Sequence, residues 1–113
     1  MVINNGRIQG EIFYTRVSIT KGSYSEISLY SFNNGSKNVG YKIINIYDFV
    51  NVNGSPSCEL SIQGTGYTLS KHPADGELYI ISFTNSKLND GKLIISAPDN
   101  TLEIPIRNNL TVI

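Results

Sequence analysis

Tight-turn signals divide this sequence at short intervals, and they constrain its fold more than any other feature. Asn-Gly and Asp-Gly pairs are the strongest local signals for a turn between two β-strands. These pairs and related glycine turns stand at Asn5-Gly6, Lys21-Gly22, Asn34-Gly35, Asn53-Gly54, Gly64-Thr65-Gly66, Asp75-Gly76 and Asp90-Gly91. Because the segments between them have strand length, the sequence predicts short strands joined by tight turns.

The segments between the turns carry apolar residues at alternate positions, as half-buried strands do. In the last of them, Leu102, Ile104 and Ile106 face one way. The predicted strands are Arg7 to Thr20 (one bent strand or two short ones), Ser23 to Phe32, Val39 to Val50, Cys58 to Ile62 (continued by Tyr67 and Leu69 after a bulge at Gly64 and Gly66), Glu77 to Thr84, Lys92 to Ala97 and Thr101 to Arg107.

Two of these strands carry an expectation about their place in the sheet. The run from Val39 to Val50 is apolar on both faces, which favours a central position or a second face that packs against another part of the structure. Pro105 has no N–H to give to a ladder, so its strand is expected either at an edge or with the backbone nitrogen of Pro105 pointing to solvent.

Residues that favour helix are scarce, since the chain has two Ala against sixteen Ile. A chain of 113 residues is expected to fold as one domain, here residues 1–113. We therefore predict an all-β fold with little or no helix. Its architecture is expected to be a β-sandwich of seven to eight antiparallel strands, with a closed barrel as the alternative.

The charge balance excludes several classes of partner. Nine Lys and Arg balance nine Asp and Glu, which argues against nucleic-acid binding by phosphate neutralisation. No apolar run approaches the roughly 20 residues of a membrane helix, so membrane insertion is not expected. The polar opening from Met1 to Gly6 does not resemble a secretory signal, which favours a cytoplasmic or virion-associated protein. A lone Cys58 excludes an intramolecular disulfide.

Candidate catalytic residues are few, and each has a simpler interpretation. His72 precedes a proline in a predicted surface loop. Cys58 alternates with polar neighbours on a half-buried strand, which favours a buried structural thiol over a reactive one. The pairs Asp75 with Glu77 and Asp90 with Asp99 occupy turns, where carboxylates bind nearby backbone. A tertiary cluster of Asp48, Glu59 and Asp99 is the one alternative for Ca²⁺. We predict no catalytic residue, no cofactor and no metal, hence no enzyme.

From Ile12 to Arg107, apolar strands alternate with glycine turns in a particular order that ends with an Ile-Pro-Ile strand. It comprises Phe13, Val17, Gly22, Ile27, Leu29, Asn33-Asn34-Gly35-Ser36, Val39 to Ile44, Phe49, Pro73, Gly76, Leu78 to Phe83, Gly91, Leu93 to Ile95 and Ile104-Pro105-Ile106. This order resembles immunoglobulin-like domains of the ASH and major-sperm-protein type, relatives of the pilus-chaperone N-terminal fold. The resemblance implies a single immunoglobulin-like β-sandwich and leaves function open, because such domains serve many partners.

A second resemblance, to βγ-crystallin Greek keys, stands as an alternative to the first. It depends on Ile62-Gln63-Gly64, Tyr67, Leu69, His72-Pro73 and Gly76. The aromatic residue that such a motif places about seven residues before its glycine is replaced here by Leu69 or Ser70. The immunoglobulin-like comparison is therefore preferred.

Tyrosines give the strongest functional signal. In the second predicted strand, the face opposite Ile27 and Leu29 carries Tyr24, Tyr30 and Phe32, and the next strand offers Tyr41 and Tyr47 in one register. Tyrosine-rich faces bind proteins and sugars. Tyr24, Tyr30, Tyr41 and Tyr47 are therefore the predicted binding residues. The alternative is that this face is the core, or is covered by the N-terminal segment.

These observations favour a non-enzymatic protein-binding module, a small structural or accessory subunit of a larger assembly. A homo-oligomer is compatible with the same features. The bias toward Asn, Ile, Lys and Tyr is typical of AT-rich genes, so a bacterial or phage source is expected, as for a virion-surface or envelope accessory protein. The alternatives are a small inhibitor or immunity-type protein and a carbohydrate-binding module, which the missing Trp disfavours.

Overall fold

A computed structural model describes residues 18–53 and 58–111 of the chain, and this part is all-β, as the sequence predicts. Its helical content is a single 3-10 turn, Ile46–Asp48. The strands are β1 (Ser18–Lys21), β2 (Ile27–Asn34), β3 (Lys37–Asn45), β4 (Val50–Asn53), β5 (Glu59–Gln63), β6 (Tyr67–Lys71), β7 (Leu78–Asn85), β8 (Gly91–Ser96) and β9 (Thr101–Leu110).

Seven strands form one sheet in the order β5-β8-β9-β2-β3-β7-β6, while β1 and β4 form a separate antiparallel pair. Neighbours in the large sheet are antiparallel except β2 and β9, which run parallel. The two edge strands, β5 and β6, follow each other in the chain with only residues 64–66 between them. That short connection brings the two edges of the sheet together, so the sheet is nearly closed on itself.

Strand β2 is shared between two parts of this sheet. Its first half, Ile27 to Ser31, pairs with β9. Its second half, Ser31 to Asn34, pairs with β3 in a ladder that begins at the pair Ser31–Gly40. The remainder of β3 pairs with β7 alone. The sheet is consequently split between the beginning of β2 and the end of β3.

The apolar core lies inside the curved sheet and is closed at one end by the β1–β4 pair. Each strand contributes its inward-facing alternate residues, and burying one such side chain stabilises the fold by about 1.5–3 kcal/mol. The buried apolar residues are Ile19, Ile27, Leu29, Ile44, Ile46, Phe49, Val50, Tyr67, Ile81, Phe83, Leu93, Ile95, Ile104 and Ile106.

Two expectations about individual strands are confirmed. In β9 the inward positions include Leu102, Ile104 and Ile106, with the residues between them exposed. Strand β3 is central, between β2 and β7. The predicted run to Val50 nevertheless divides, because the Asn45 side chain accepts a 2.9 Å hydrogen bond from the Tyr47 N–H and starts the 3-10 turn.

Other expectations are wrong. The expected bulge at Gly64 and Gly66 is a turn, since both glycines have positive φ, of 132° and 90°, and the Tyr67 N–H donates to the Gly64 carbonyl. Of the two alternatives for Pro105, the edge position is wrong, because β9 lies between β8 and β2. The other alternative is compatible with the structure, since Pro105 is exposed and the ladder between β9 and β2 begins one residue later, at Ile106.

The strand total and the orientations also differ from the prediction of seven to eight antiparallel strands. The described residues form nine strands, because two predicted runs each divide, and one neighbouring pair is parallel. Of the predicted strand from Arg7 to Thr20, everything before Ser18 lies outside the described residues, as do Phe13 and Val17 of the resemblance.

Candidate functional site

The outer surface of the sheet carries a group of exposed apolar residues, which we name the aromatic face: Tyr30 and Phe32 of β2 with Tyr41 and Ile43 of β3. Their exposed fractions are 60%, 43%, 68% and 47%. They point outward because the alternate residues of the same strands, such as Leu29 and Ile44, fill the core. The face is therefore the solvent side of two well-anchored strands.

The strands around the aromatic face add no charge to it. The outward positions of β7 and β6 are Leu78, Ile80, Ser82, Thr84, Thr68 and Ser70, and register places Ser82 beside Tyr41 and Ile80 beside Ile43. Among the outward positions of β2, β3, β6 and β7, the charged side chain is Lys37, next to the hairpin turn. Interfaces between proteins are enriched in aromatic residues and depleted of charge in this way.

The outer surface formed by β5, β8 and β9 is different in kind. There the Lys92 ammonium lies 2.9 Å from the Glu103 carboxylate, and Arg107 lies 3.3 Å from Glu26, in pairs that are open to solvent. Glu59 is exposed on the same side. Exposed pairs of this type contribute about 0–1 kcal/mol each and keep a surface hydrated. In residues 18–53 and 58–111, one outer face of the sheet thus carries ion pairs, while the other is aromatic and has Lys37 as its charged residue.

The structure brings together two of the four predicted binding residues. Tyr30 and Tyr41 flank the pair Ser31–Gly40, where the β2–β3 ladder ends. Tyr24 lies in the loop before β2, where its ring packs against Phe49 with centroids 5.9 Å apart. Tyr47 lies on the 3-10 turn and lines a separate apolar pocket. All four are exposed, by 46% or more.

A groove of about 410 Å³ opens where the sheet is split, and we name it the β2–β3 groove. Its floor includes Ile27, Ile44 and Phe49, all buried core residues. Polar and charged residues line its sides. The lining consists of Tyr24, Glu26, Ile27, Ser28, Lys42, Ile43, Ile44, Asn45, Asp48 and Phe49.

Main-chain hydrogen-bonding groups point into this groove from both strands. Thr111 N–H donates to the Ser31 carbonyl at 2.7 Å, so the odd-numbered residues of β2 face β9 and Ser28 faces the groove. On the other side, Ile46 N–H donates to the Glu77 carbonyl at 3.0 Å, in continuation of the β3–β7 ladder. Even-numbered residues of β3 therefore face β7, and Ile43 faces the groove.

A smaller pocket of about 220 Å³ opens between β4, β5 and β7. Its lining is apolar and includes Val52, Leu60 and Tyr79, together with Cys58. The Cys58 thiol is free and only half-buried. The sequence predicts a buried structural thiol, whereas Cys58 is only half-buried and packs against the edge of the core.

A chain of hydrogen bonds crosses the other end of the core. Ser31 Oγ donates to Asn108 Oδ1 at 2.7 Å, and Asn108 Nδ2 lies 3.0 Å from the Tyr67 hydroxyl. That hydroxyl donates in turn to the Asn89 carbonyl at 2.6 Å. All three side chains are buried. This polar chain, Ser31–Asn108–Tyr67, ties β2 and β9 to the edge strand β6.

The ring of Tyr67 is held by close packing. It lies tilted on Phe83 with centroids 4.7 Å apart. A Cβ atom on Gly64 or Gly91 would come within 2.6 Å or 2.9 Å of the ring, so both positions require the absence of a side chain. Burial raises the pKa of the Tyr67 phenol; the Asn108 hydrogen bond opposes that shift and the nearby Asp90 charge adds to it.

Sequence reasoning missed the polar chain, although a signal for it was present. The alternation of Ile27 and Leu29 continues to Ser31, and that of Ile104 and Ile106 continues to Asn108. Polar residues at consecutive core-facing positions of two strands predict a buried hydrogen-bonded cluster, because a buried polar group without a partner is costly.

The candidate chemical residues make structural contacts. His72 Nδ1 accepts a 3.1 Å hydrogen bond from the Ala74 N–H. Asp75 Oδ1 accepts from the Glu77 N–H at 2.9 Å, as expected for a carboxylate in a turn. The local explanation offered for Asp90 is wrong, because its carboxylate accepts from the backbone N–H of Asn108, on β9.

In residues 18–53 and 58–111, no three His, Cys, Asp or Glu side chains lie close enough to hold a metal ion. Asp48, Glu59 and Asp99 therefore do not form the alternative Ca²⁺ cluster. Nor does that part of the chain contain a helix long and apolar enough to cross a membrane. Comparisons with protein-family models, curated proteins and solved structures found no match for this chain.

Proposed function

We propose that this chain is a non-enzymatic protein-binding module that uses its aromatic face to bind a partner protein. The observation that carries the proposal is the contrast between its two outer faces. One presents Tyr30, Phe32, Tyr41 and Ile43 among Ser and Thr, and the other presents ion pairs such as Lys92–Glu103. Exposed aromatic residues in a surface depleted of charge are typical of the centre of a protein interface.

The role proposed for such a module is that of a small accessory subunit in a larger assembly, of bacterial or phage origin. Tyrosine supports this role because its ring gives apolar contact area at low entropic cost while its hydroxyl remains hydrated in the free protein. The four residues of the aromatic face sit on strands anchored by the core, so little ordering is required on binding.

We also propose that the nearly closed sheet is an immunoglobulin-like β-sandwich in which β2 belongs to both layers. One layer would hold β5, β8, β9 and the first half of β2, and the other the second half of β2 with β3, β7 and β6. The β2–β3 groove and the pocket beside Cys58 support this arrangement, because each lies where the two layers would separate.

The test of the binding proposal is co-purification with the double variant Tyr30→Ala/Tyr41→Ala. Wild type is expected to hold one partner in stoichiometric amount, while the double variant weakens that complex by about two powers of ten, as loss of interface anchors does. A matched control, Lys92→Ala/Glu103→Ala, alters the charged face and should retain the partner. Equal retention by both double variants would overturn the proposal.

A further inference from the structure

Strand edges that lack a neighbour bind other strands, because their N–H and C=O groups are already spaced for a ladder. Within the described residues, no ladder joins the beginning of β2 to the end of β3, although each pairs on its other side, with β9 and β7 respectively. Ser28 from one side and Ile43 from the other turn their main-chain groups into the space between. The β2–β3 groove is thus bounded by two strand edges.

We propose that the β2–β3 groove receives an extended segment of the partner protein, which adds as a β-strand to the edge at Ser28, at Ile43, or at both. This rests on the proposed function and names the form in which part of the partner binds. The groove is continuous with the aromatic face, because Ile43 belongs to both. A partner protein that contacts Tyr41 would therefore lie directly beside the β2–β3 groove.

The lining of the groove sets the chemistry of the segment. Its floor of Ile27, Ile44 and Phe49 suits the apolar side chains of a strand in which every second residue is apolar. Asp48 brings a carboxylate and Lys42 an ammonium to the lining, while the Glu26 carboxylate is paired with Arg107 at 3.3 Å. The matching segment is therefore extended and alternates apolar residues, which face the floor, with polar ones.

Proline substitution provides a direct test, because it removes one N–H and is tolerated in a strand where that N–H has no ladder partner. Ser28→Pro and Ile43→Pro each delete a donor that faces the groove, while the ladders to β9 and β7 keep theirs. Ser28→Ala and Ile43→Val are the matched controls, since both retain the N–H. Thermal unfolding of each variant verifies that the fold is kept.

The probe is a displayed library of random dodecapeptides selected on the full chain, followed by synthesis of the selected peptides. We expect peptides that alternate apolar with polar residues. Their affinity should fall about tenfold with Ser28→Pro or Ile43→Pro and stay unchanged in the controls, as loss of a main-chain hydrogen bond predicts. Peptides that bind all variants equally, or a library that yields no such peptide, would overturn the proposal.

Two further experiments distinguish strand addition in the groove from binding to the aromatic face alone, and from filling of the groove by this chain or by a second copy of it. Peptides that bind both proline variants but not Tyr41→Ala would support binding at the aromatic face alone. They would overturn strand addition in the groove. Hydrogen exchange on the free protein should show fast-exchanging amides at Ser28 and Ile43. Slow exchange at both amides at every protein concentration would mean that the chain fills its own groove. Slow exchange only at high concentration would mean that a second copy fills it. Either result would contradict the proposal that a segment of the partner protein binds there.

Discussion

The side-chain nitrogen of Asn108 lies 3.0 Å from the hydroxyl oxygen of Tyr67, and both residues are buried. Asn108 stands on β9 in the middle of the sheet, and Tyr67 begins the edge strand β6. The bond therefore joins two strands that are not neighbours in the ladder order. It is one of the contacts that hold the curved sheet nearly closed.

Removing the Tyr67 hydroxyl should lower the free energy of unfolding. In Tyr67→Phe, the buried Asn108 Nδ2 and the part-buried Asn89 carbonyl both lose a partner, which costs about 1–3 kcal/mol. Urea unfolding monitored by circular dichroism measures the difference. The control is Tyr41→Phe, on the aromatic face, which should change stability by less than about 0.5 kcal/mol. Equal stability of the two variants would show that the polar chain contributes nothing.

Ionisation of the Tyr67 phenol should contribute to a fall in the free energy of unfolding at alkaline pH. Its pKa is raised in the folded protein, chiefly by burial. The unfolded chain therefore releases this proton first, near pH 10, so the stabilisation is complete below that pH and is lost as pH rises through the higher folded pKa. A pH titration that follows tyrosinate absorbance in wild type and in Tyr67→Phe should assign to Tyr67 an ionisation whose pKa lies above the ordinary value for tyrosine. An ordinary or lowered transition would contradict the burial argument.

Gly40→Ala should destabilise the fold strongly. A Cβ atom at this position would come 2.5 Å from Ser31 Oγ and 2.8 Å from the Tyr30 carbonyl oxygen. Overpacking of this kind costs about 1–3 kcal/mol, and here it would also press on the polar chain. Gly76→Ala is the matched control, because the nearest atom would be 3.9 Å away on the flexible Lys71 side chain. A midpoint of thermal unfolding that drops only in Gly40→Ala is the expected result.

Asn100→Ala should loosen the β1–β4 pair. The Asn100 side chain accepts from the Ile19 N–H at 3.0 Å and donates to the Ile19 carbonyl at 2.7 Å, which fastens β1 to the beginning of β9. Losing both bonds should cost about 1–3 kcal/mol and speed hydrogen exchange at Ile19. Asn109→Ala, at an exposed position, is the control. Unchanged exchange at Ile19 in Asn100→Ala would contradict this role.

Local patterns in the sequence predicted the strands better than their pairing. The alternation of Leu102, Ile104 and Ile106 identifies both the strand and its inward face, because side chains in a strand alternate. The two-sided apolar character of the run beginning at Val39 correctly predicts a central strand. These predictions depend only on residues close together in the chain.

Pairing between distant strands could not be read in the same way. Nothing local to Ile27 shows that it lies parallel to Ile106, and an expectation of purely antiparallel strands follows from short turns alone. The groove has the same origin, since it exists only because β2 changes partners at Ser31. Tyr24 lies in the loop before β2, and Tyr47 lies on the 3-10 turn. Side chains do not alternate between two faces in either element, so the sequence could not show that both lie apart from Tyr30 and Tyr41.

Photo-crosslinking tests the central claim, that the aromatic face binds a partner protein, most directly. A photoreactive amino acid would replace Tyr41 on the aromatic face or, as a control, Ser61, an exposed residue of β5 on the charged face. Illumination of the cells that produce the protein should give one discrete adduct from position 41 and none from position 61. The same adduct from both positions, or an adduct from position 61 alone, would contradict the claim.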